Sequence, residues 1–351
     1  MKKTFIIEEN AQFGRASNSA TYCYDLVDLY NFIYICYDQG QPKITPPSST
    51  KVIYVEKKNR VYKKIKLIQE IVNAAYKTSN SVLYLSYFRG VSLVRILVPF
   101  RKVIVDYRTG CINPNKWNRF LKNLLMTFEA LFFRHKVVIS IDLKQHLHLA
   151  NNTKILPIGA NILSSTNKQF DKLRLLYVGT LGVQRDVYKT IEGVVEFREK
   201  RPNADLRYDI IGKGNGMNHI KAEIQRFSAG DYIKVHGYVP DEEITPFYDN
   251  CNVGVCFARM EDYYLVQPFT KLYEYGLSGM ASISVKLNDS VRRVIPEVGV
   301  LCDDNEQSFA DALEQIWQNR MQYNSERIRN YFMPYTWENI SKQFKNIIES
   351  V

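Results

Sequence analysis

Along nearly the whole chain, short runs of β-branched and aromatic residues alternate with stretches whose apolar positions recur every three to four residues. This is the pattern of parallel strands joined by helical crossovers. Over the first half the runs predict strands at 4–8, 32–37, 51–55, 82–86, 102–106, 136–141 and 154–157, enough for one open sheet. Residues 161–172 break the rhythm: they are polar, rich in Ser and Asn and without periodicity, so they read as a linker. Strands resume at 173–178, 208–211, 233–236, 253–257 and 281–285, separated by helices near 187–199, 217–228, 241–249 and 270–278. From Glu306 onward the chain is helical, and its last piece carries Ile340, Phe344, Ile347 and Ile348 at helical spacing, a stripe that needs a surface to cover. The expectation is an α/β protein with domains at 1–160 and 173–335, the linker 161–172 between them and a terminal helix at 336–351. Open parallel sheets bind ligands beyond the carboxyl ends of their strands, so the functional residues belong on those loops, in a cleft between two nucleotide-type domains.

Composition agrees with folded globular protein: 351 residues, 46% hydrophobic and 24% charged, with 17 Gly and 12 Pro, far from disordered or collagen-like classes. The six cysteines include no Cys-x-x-Cys pair, which excludes an evident disulfide framework or thiolate zinc site and fits a reducing compartment. The first nine residues hold too few apolar positions for a signal-peptide core, and the most apolar window, 82–100, carries Arg89 and Arg95. A cytoplasmic protein without a transmembrane helix is expected. The net charge of +11 is uneven: residues 1–160 hold 24 Lys and Arg against 10 Asp and Glu, and the remainder is slightly acidic. A basic half suits a phosphorylated ligand or an anionic membrane surface; nucleic acid is the less expected polyanion, and a solvated lysine excess explains the balance too.

Three segments carry candidate chemistry. In 177–187 a buried strand ends in Gly179, a second glycine follows at Gly182, and Arg185 stands at a helix start. A cation there opposes the helix dipole, so it is either paired with Asp186 or Glu192 or held for an anionic ligand. In 209–216, Gly212, Gly214 and Gly216 lie between strand and helix but lack the spacing of a full dinucleotide fingerprint, which favours a tight turn. In 267–279, Pro268 and Thr270 mark a helix start and Gly279 its end, which puts Thr270, Lys271 and Glu274 in one neighbourhood near the positive end. A glutamate in a first turn is also favourable without any ligand.

Taken in order with Val235-His-Gly237 and Val253-Gly-Val-Cys256, these segments resemble the donor half of retaining glycosyltransferases of the GT-B fold, the large family 4. The resemblance covers residues 173 to about 305. Ile155-Leu-Pro-Ile-Gly-Ala-Asn161 looks like that family's interdomain strand and hinge, and Gly14 lies in the loop after the first strand. It implies two Rossmann-like domains facing a central cleft, with the terminal helix packing back on the first. It also implies transfer of a hexose from a nucleotide diphosphate sugar, UDP before GDP, to a hydroxyl of a lipid-linked or polysaccharide acceptor, with retention and without a metal or other cofactor. Carried over, Arg185 meets the donor diphosphate, helped by Lys271 and Arg15, while Glu274 accepts from the ribose hydroxyls. The helix from Thr270 turns its amides to the phosphates, and Gly14, Gly179, Gly182 and Gly212 line the donor loops.

The chain departs from that pattern. Val266 stands where the family has the first of two glutamates, with Glu261 and Asp262 nearby, and Thr180 stands where a basic residue is usual. No histidine follows the matching first-domain strand; Asp106 takes its slot and Arg108 follows, either as a polar group at the cleft with Arg108 orienting substrate, or as an aspartate that caps a loop and pairs with Arg108. Asp303 and Asp304 read as solvated. Two stretches of the basic half, 58–77 and 116–136, are amphipathic: Val61, Ile65, Ile68 and Val72 beside Arg60, Lys63, Lys64 and Lys66 in one, a broad apolar face from Trp117 to Phe132 ringed by Arg119, Lys122, Arg134 and Lys136 in the other. Each could lie in a membrane interface or pack on the sheet. A catalytically weak scaffold that binds membrane or polyanion, and a nucleotide-sugar epimerase, are the competing readings.

Overall fold

The computed structural model describes residues 2–15 and 18–351, the side chains of Asn18 and Arg60 excepted. The chain forms two units, one running to Pro157 and regaining Trp337–Val351, the other spanning Ile158–Thr336.

The first unit holds strands β1 (Lys3–Glu9), β2 (Tyr30–Tyr37), β3 (Thr50–Val55), β4 (Ser81–Ser86), β5 (Lys102–Tyr107), β6 (His135–Val138) and β7 (Lys154–Ile155). They make one parallel sheet in the order β3-β2-β1-β4-β5-β6-β7, with helices α1 (Asn18–Asp25), α2 (Arg60–Lys77), α3 (Val91–Leu97), α4 (Lys116–Ala130) and α5 (Ile141–His146) between them. The predicted strand 136–141 is shorter than expected. Ser140 accepts a hydrogen bond from the Leu143 amide and caps α5, so the chain leaves the sheet after Val138. In β1, Phe5 and Ile7 share a core with Tyr22 of α1 and with Ile340, Phe344 and Ile348 of the terminal helix, numbered α14 below. Phe344 stacks on Tyr22 with ring centroids 4.1 Å apart, which is where the terminal apolar stripe finds its cover.

The second unit repeats the scheme. Its strands β8 (Leu173–Val178), β9 (Leu206–Ile211), β10 (Ile233–Gly237), β11 (Val253–Cys256), β12 (Ala281–Val285) and β13 (Gly299–Cys302) form a parallel sheet in the order β10-β9-β8-β11-β12-β13. The helices are α6 (Tyr188–Lys200), α7 (Met217–Arg226), α8 (Thr245–Asn250), α9 (Asp262–Leu265), α10 (Thr270–Leu277), α11 (Asn288–Arg293), α12 (Glu306–Asn319) and α13 (Ser325–Phe332), before α14 (Trp337–Glu349) rejoins the first unit. The four-residue edge strand β13 is too short for a pattern reading and is an addition to the expected set. Residues 161–170 carry no helix or strand, yet they are no loose tether: Ser164, Lys168 and Phe170 are buried. The Lys168 ammonium donates to Ser164 Oγ at 2.8 Å and to the Tyr248 carbonyl, and burial pushes its pKa down to about 8. All six cysteines are free, and no described helix is long and apolar enough to cross a membrane.

Candidate functional site

Two loops meet at the carboxyl ends of β8 and β9, and the meeting explains the glycines. Gly179 N–H extends the ladder to the Ile211 carbonyl, Leu181 N–H donates to the Lys213 carbonyl, and Gly216 N–H donates to the Leu181 carbonyl at 2.7 Å. A Cβ on Gly212, whose φ is +153°, would stand 1.8 Å from the Gly179 carbonyl oxygen. One on Gly214 would stand 2.3 Å from that of Leu181. The 212–216 segment is thus the tight turn its spacing favours, and it braces the 179–185 loop.

That loop ends in a single turn of 3₁₀ helix, Val183–Arg185, closed by Asp186 in the left-handed region at φ +51°. Asp186 is buried, but its partner is not Arg185. Both its oxygens accept from Arg259, from Nε and Nη2 at 2.9 Å each. Among the described residues no carboxylate lies within ion-pair distance of Arg185. Its guanidinium sits 5.6 Å from the Tyr264 ring centroid and beside the Tyr177 hydroxyl, whose pKa burial pushes up to about 12. Of the two explanations the sequence leaves open, pairing with Asp186 or Glu192 is absent, and the guanidinium is left partly exposed.

On α10, Phe269 precedes the first turn without a side-chain cap, which leaves the first amides of the helix to solvent or ligand. Glu274 is neither solvated nor sealed in apolar surroundings. Its side chain is 13% exposed, and Oε2 accepts from Lys271 Nζ at 2.5 Å and from Tyr248 Oη at 3.0 Å. Tyr248, on α8, is fully buried and rests against Tyr275. The Tyr275 hydroxyl in turn accepts from the Val178 amide at 2.9 Å, locking α10 to the end of β8. A Cβ on Gly254 would stand 2.2 Å from the Tyr275 ring, so the glycine of Val253-Gly-Val-Cys256 is there to admit that tyrosine. With α10 locked to the end of β8, and Arg185 on the loop that leaves that same end, Arg185, Lys271, Glu274 and the start of α10 gather at one end of one sheet.

Neighbouring residues refine the picture. Val266 is buried, and Glu261 stands at the start of α9 with its carboxylate 3.9 Å from Arg259. Asp304 is not the solvated residue expected: its carboxylate accepts from the Met260 amide at 2.8 Å and its carbonyl from Lys189, pinning the loop after β11. Asp303 pairs with Lys286 on the surface. Tyr248, Tyr264 and Arg259 were invisible to motif reading, since each acts only through a tertiary contact.

In the first unit the expected polar pair is corrected. Asp106 is 1% exposed; its carboxylate accepts from Tyr84 Oη and from Arg108 Nε at 2.5 Å. Arg108 is also committed to the Leu156 carbonyl and the Tyr22 hydroxyl. Both bonds to Asp106 end on Oδ2, and Oδ1 is buried without a hydrogen-bond partner, so the charge is held inside the unit mainly by its ion pair with Arg108. Gly14 has φ +69°, and a Cβ there would meet Ile44 at 2.7 Å. Arg15 is exposed in the turn closed by its amide on the Gln12 carbonyl. Buried Gln12 organises this loop by accepting from Gln39 N–H at 2.9 Å and donating to the Gln41 carbonyl.

Residues 160–332 match the family model described as Glycosyl transferases group 1, a span that nearly coincides with the second unit. No curated protein sequence matches the chain. Among solved structures, sucrose-phosphate synthase from Thermosynechococcus elongatus is similar with a TM-score of 0.75 at 17% identity, covering 99% of both chains. Anabaena Alr3699/HepE, in complex with UDP, gives 0.76 at 12% identity over 99% of this chain and 100% of its own. The lipopolysaccharide outer core galactosyltransferase WaaB gives 0.74 at 14% identity over 100% and 99%. The two-sheet α/β architecture is the GT-B fold of these structures, and residues 160–332 are similar to the group 1 glycosyltransferase family.

Proposed function

We propose that this protein, similar in its second unit to the group 1 glycosyltransferases, moves a hexose from a UDP-sugar to a hydroxyl of a lipid-linked or polysaccharide acceptor with retention of configuration. One observation carries the reading: a guanidinium without a carboxylate partner among the described residues, Arg185, and a polarised carboxylate, Glu274, stand at the same end of the second sheet beside an uncapped helix start. In this reading Arg185, Lys271 and the first amides of α10 bind the diphosphate. Glu274 accepts from the two ribose hydroxyls.

The chemistry follows from the charge that develops as the sugar leaves. A departing nucleoside diphosphate gains negative charge, and preorganised donors aimed at it lower the barrier, each by roughly 3 to 4 kcal/mol. Arg185, Lys271 and the helix amides are such donors, and they do the work a divalent ion does in other sites. Asp106 is sequestered and supplies no base. The departing phosphate itself takes the acceptor proton, on the face the sugar has left, which gives retention without an enzyme nucleophile. UDP is preferred over GDP because the similar Anabaena structure holds UDP.

Titration of the full chain with UDP and GDP by calorimetry tests the donor site: binding of UDP is expected, and binding of neither would overturn the reading. A mass-spectrometric screen of nucleotide sugars, scoring UDP release with and without lipid extract, then identifies sugar and acceptor class. The buried Val266 and the sequestered Asp106 favour a second reading, a scaffold without turnover. Wild-type-like cellular function of a doubly substituted Arg185→Ala, Glu274→Ala protein would support it.

A further inference from the structure

Helix α4 is built inside out. The residues it buries include Arg119 and Glu129, whereas Trp117, Phe120, Leu121, Leu124, Phe128 and Leu131 are 53 to 77% exposed at the i, i+3, i+4, i+7 spacing of one face. Polar anchors set this orientation. The Glu129 carboxylate accepts from Tyr87 Oη at 2.8 Å, the Gly90 amide at 2.9 Å and Ser92 Oγ at 2.8 Å, and Arg119 donates to the Asn113 carbonyl at 2.8 Å. Rotating the helix to bury its apolar face would break all of these, so the stripe is held outward. Helix α3 packs beside α4 and adds exposed Leu93, Ile96 and Leu97, followed by Phe100 at 98% exposure; α2 packs on α3 and adds Val61 and Ile65. Of the 26 exposed large apolar residues described, 16 fall between residues 61 and 132, so they concentrate on these neighbouring helices and the segments that join them.

The rim of this apolar patch is mainly cationic; on α2 the one acidic residue, Glu70, pairs with Lys66. Between residues 81 and 134 the chain holds only two acidic residues, Asp106 and Glu129, and both are buried. Arg89, Arg95, Arg101, Lys116, Lys122 and Arg134 make no salt bridge among the described residues; Arg95 and Arg101 spend donors only on the carbonyls of Arg101 and Ser79. A hollow of about 430 Å³ at the edge of the patch is lined by Arg95, Phe100, Arg101 and Arg134, with Lys102 there donating to the Val351 oxygen, so apolar face and cationic pocket meet at Phe100.

We propose that the α2–α3–α4 face docks the protein onto an anionic phospholipid bilayer, with the α4 stripe and Phe100 entering the interface and the Arg95–Arg101–Arg134 hollow taking lipid phosphates. An apolar stripe with a cationic rim is the composition that partitions into headgroups and acyl boundary. A second copy of the chain would set this basic rim against itself, and nucleic acid has no use for the apolar stripe. The inference stands apart from the donor-site reading, because it concerns a different surface.

The test is cosedimentation of the full chain with vesicles of phosphatidylcholine alone or mixed with phosphatidylglycerol. The mixed vesicles should bind about tenfold more protein or better. A Trp117→Gln, Leu121→Gln, Leu124→Gln variant, altered only at exposed positions, should keep its melting temperature and lose about tenfold or more in binding. Arg95→Gln with Arg134→Gln should weaken the preference for anionic lipid about fivefold per charge. Trp117 emission should shift to the blue on mixed vesicles, a shift absent in Trp117→Phe. Absence of binding to mixed vesicles, or binding that the triple variant leaves unchanged, overturns the proposal. So does a dimer that the triple variant splits while vesicle binding persists, since the face would then belong to a second copy.

Discussion

Replacing Glu274 by Gln separates a carboxylate that grips a ligand from one that merely holds α10 together. The amide keeps the length of the side chain and an oxygen able to accept from the Tyr248 hydroxyl at its present 3.0 Å, so the buried tyrosine stays satisfied. What disappears is the charge, and with it the 2.5 Å pair to Lys271. That pair is partly open to solvent, at 32 and 13% side-chain exposure, and a pair of this kind contributes at most about 1 kcal/mol. In a domain of this size the melting temperature should fall by no more than about 2 to 4 °C. Hydrogen bonds from ribose hydroxyls to a charged acceptor are stronger, about 1.5 to 3 kcal/mol net, which weakens binding roughly 10- to 150-fold. Glu274→Ala should add about 1 to 3 kcal/mol of destabilisation by orphaning the Tyr248 hydroxyl. Calorimetric titration with UDP and with uridine, alongside thermal melts, reads both quantities. A Glu274→Gln protein that melts normally and binds UDP with wild-type affinity would refute the assignment of this carboxylate to the ribose.

Three further outcomes are expected. Arg185→Ala should weaken UDP binding strongly while barely changing uridine binding, whereas Glu274→Gln weakens both; equal losses on the two ligands would remove Arg185 from the diphosphate. Phe344→Ala deletes a fully buried ring stacked on Tyr22 and should cost about 3 to 5 kcal/mol, lowering the first unit's melting transition by roughly 10 °C; a change near zero by scanning calorimetry would mean that α14 contributes little to that core. Glu8, in β1, is fully buried with neither carboxyl oxygen bonded, and burial together with Glu9 raises its pKa well above the carboxylate range. Above about pH 4.3 the unfolded chain releases this proton while the folded chain keeps it, so stability falls as pH rises until the folded carboxyl ionises. Glu8→Gln should therefore gain on the wild type with rising pH and match it in acid, as read by denaturant melts across that range; parallel profiles would show that Glu8 does not titrate in this way.

The strands and most helices could be read along the chain because a buried parallel strand is a local run of β-branched and aromatic residues, and a helix is a local period. The same holds for the order of the glycine-bearing loops in the second unit and for the stripe on α14. The short helices α1, α5, α9 and α11 and strand β13 escaped, α5 because a capping serine overrides an apolar run, β13 because four residues carry too little pattern. Residues 161–172 read as a tether by composition, while Lys168 and Ser164 bind them down through groups some 80 residues away in the chain.

What the amino-acid sequence determined by itself was therefore periodicity and spacing: two α/β sheets, the positions of Arg185, Lys271 and Glu274 relative to helix starts, and the excess of positive charge in one half. Tertiary structure decided which charges are neutralised. Arg259 takes Asp186 and leaves Arg185 without a carboxylate, Tyr84 and Arg108 draw Asp106 into the interior, and Glu129 turns the apolar stripe of α4 outward. Partners for buried charge are chosen across the fold, by whichever group desolvation brings within hydrogen-bond reach, and no local pattern along a chain records that choice.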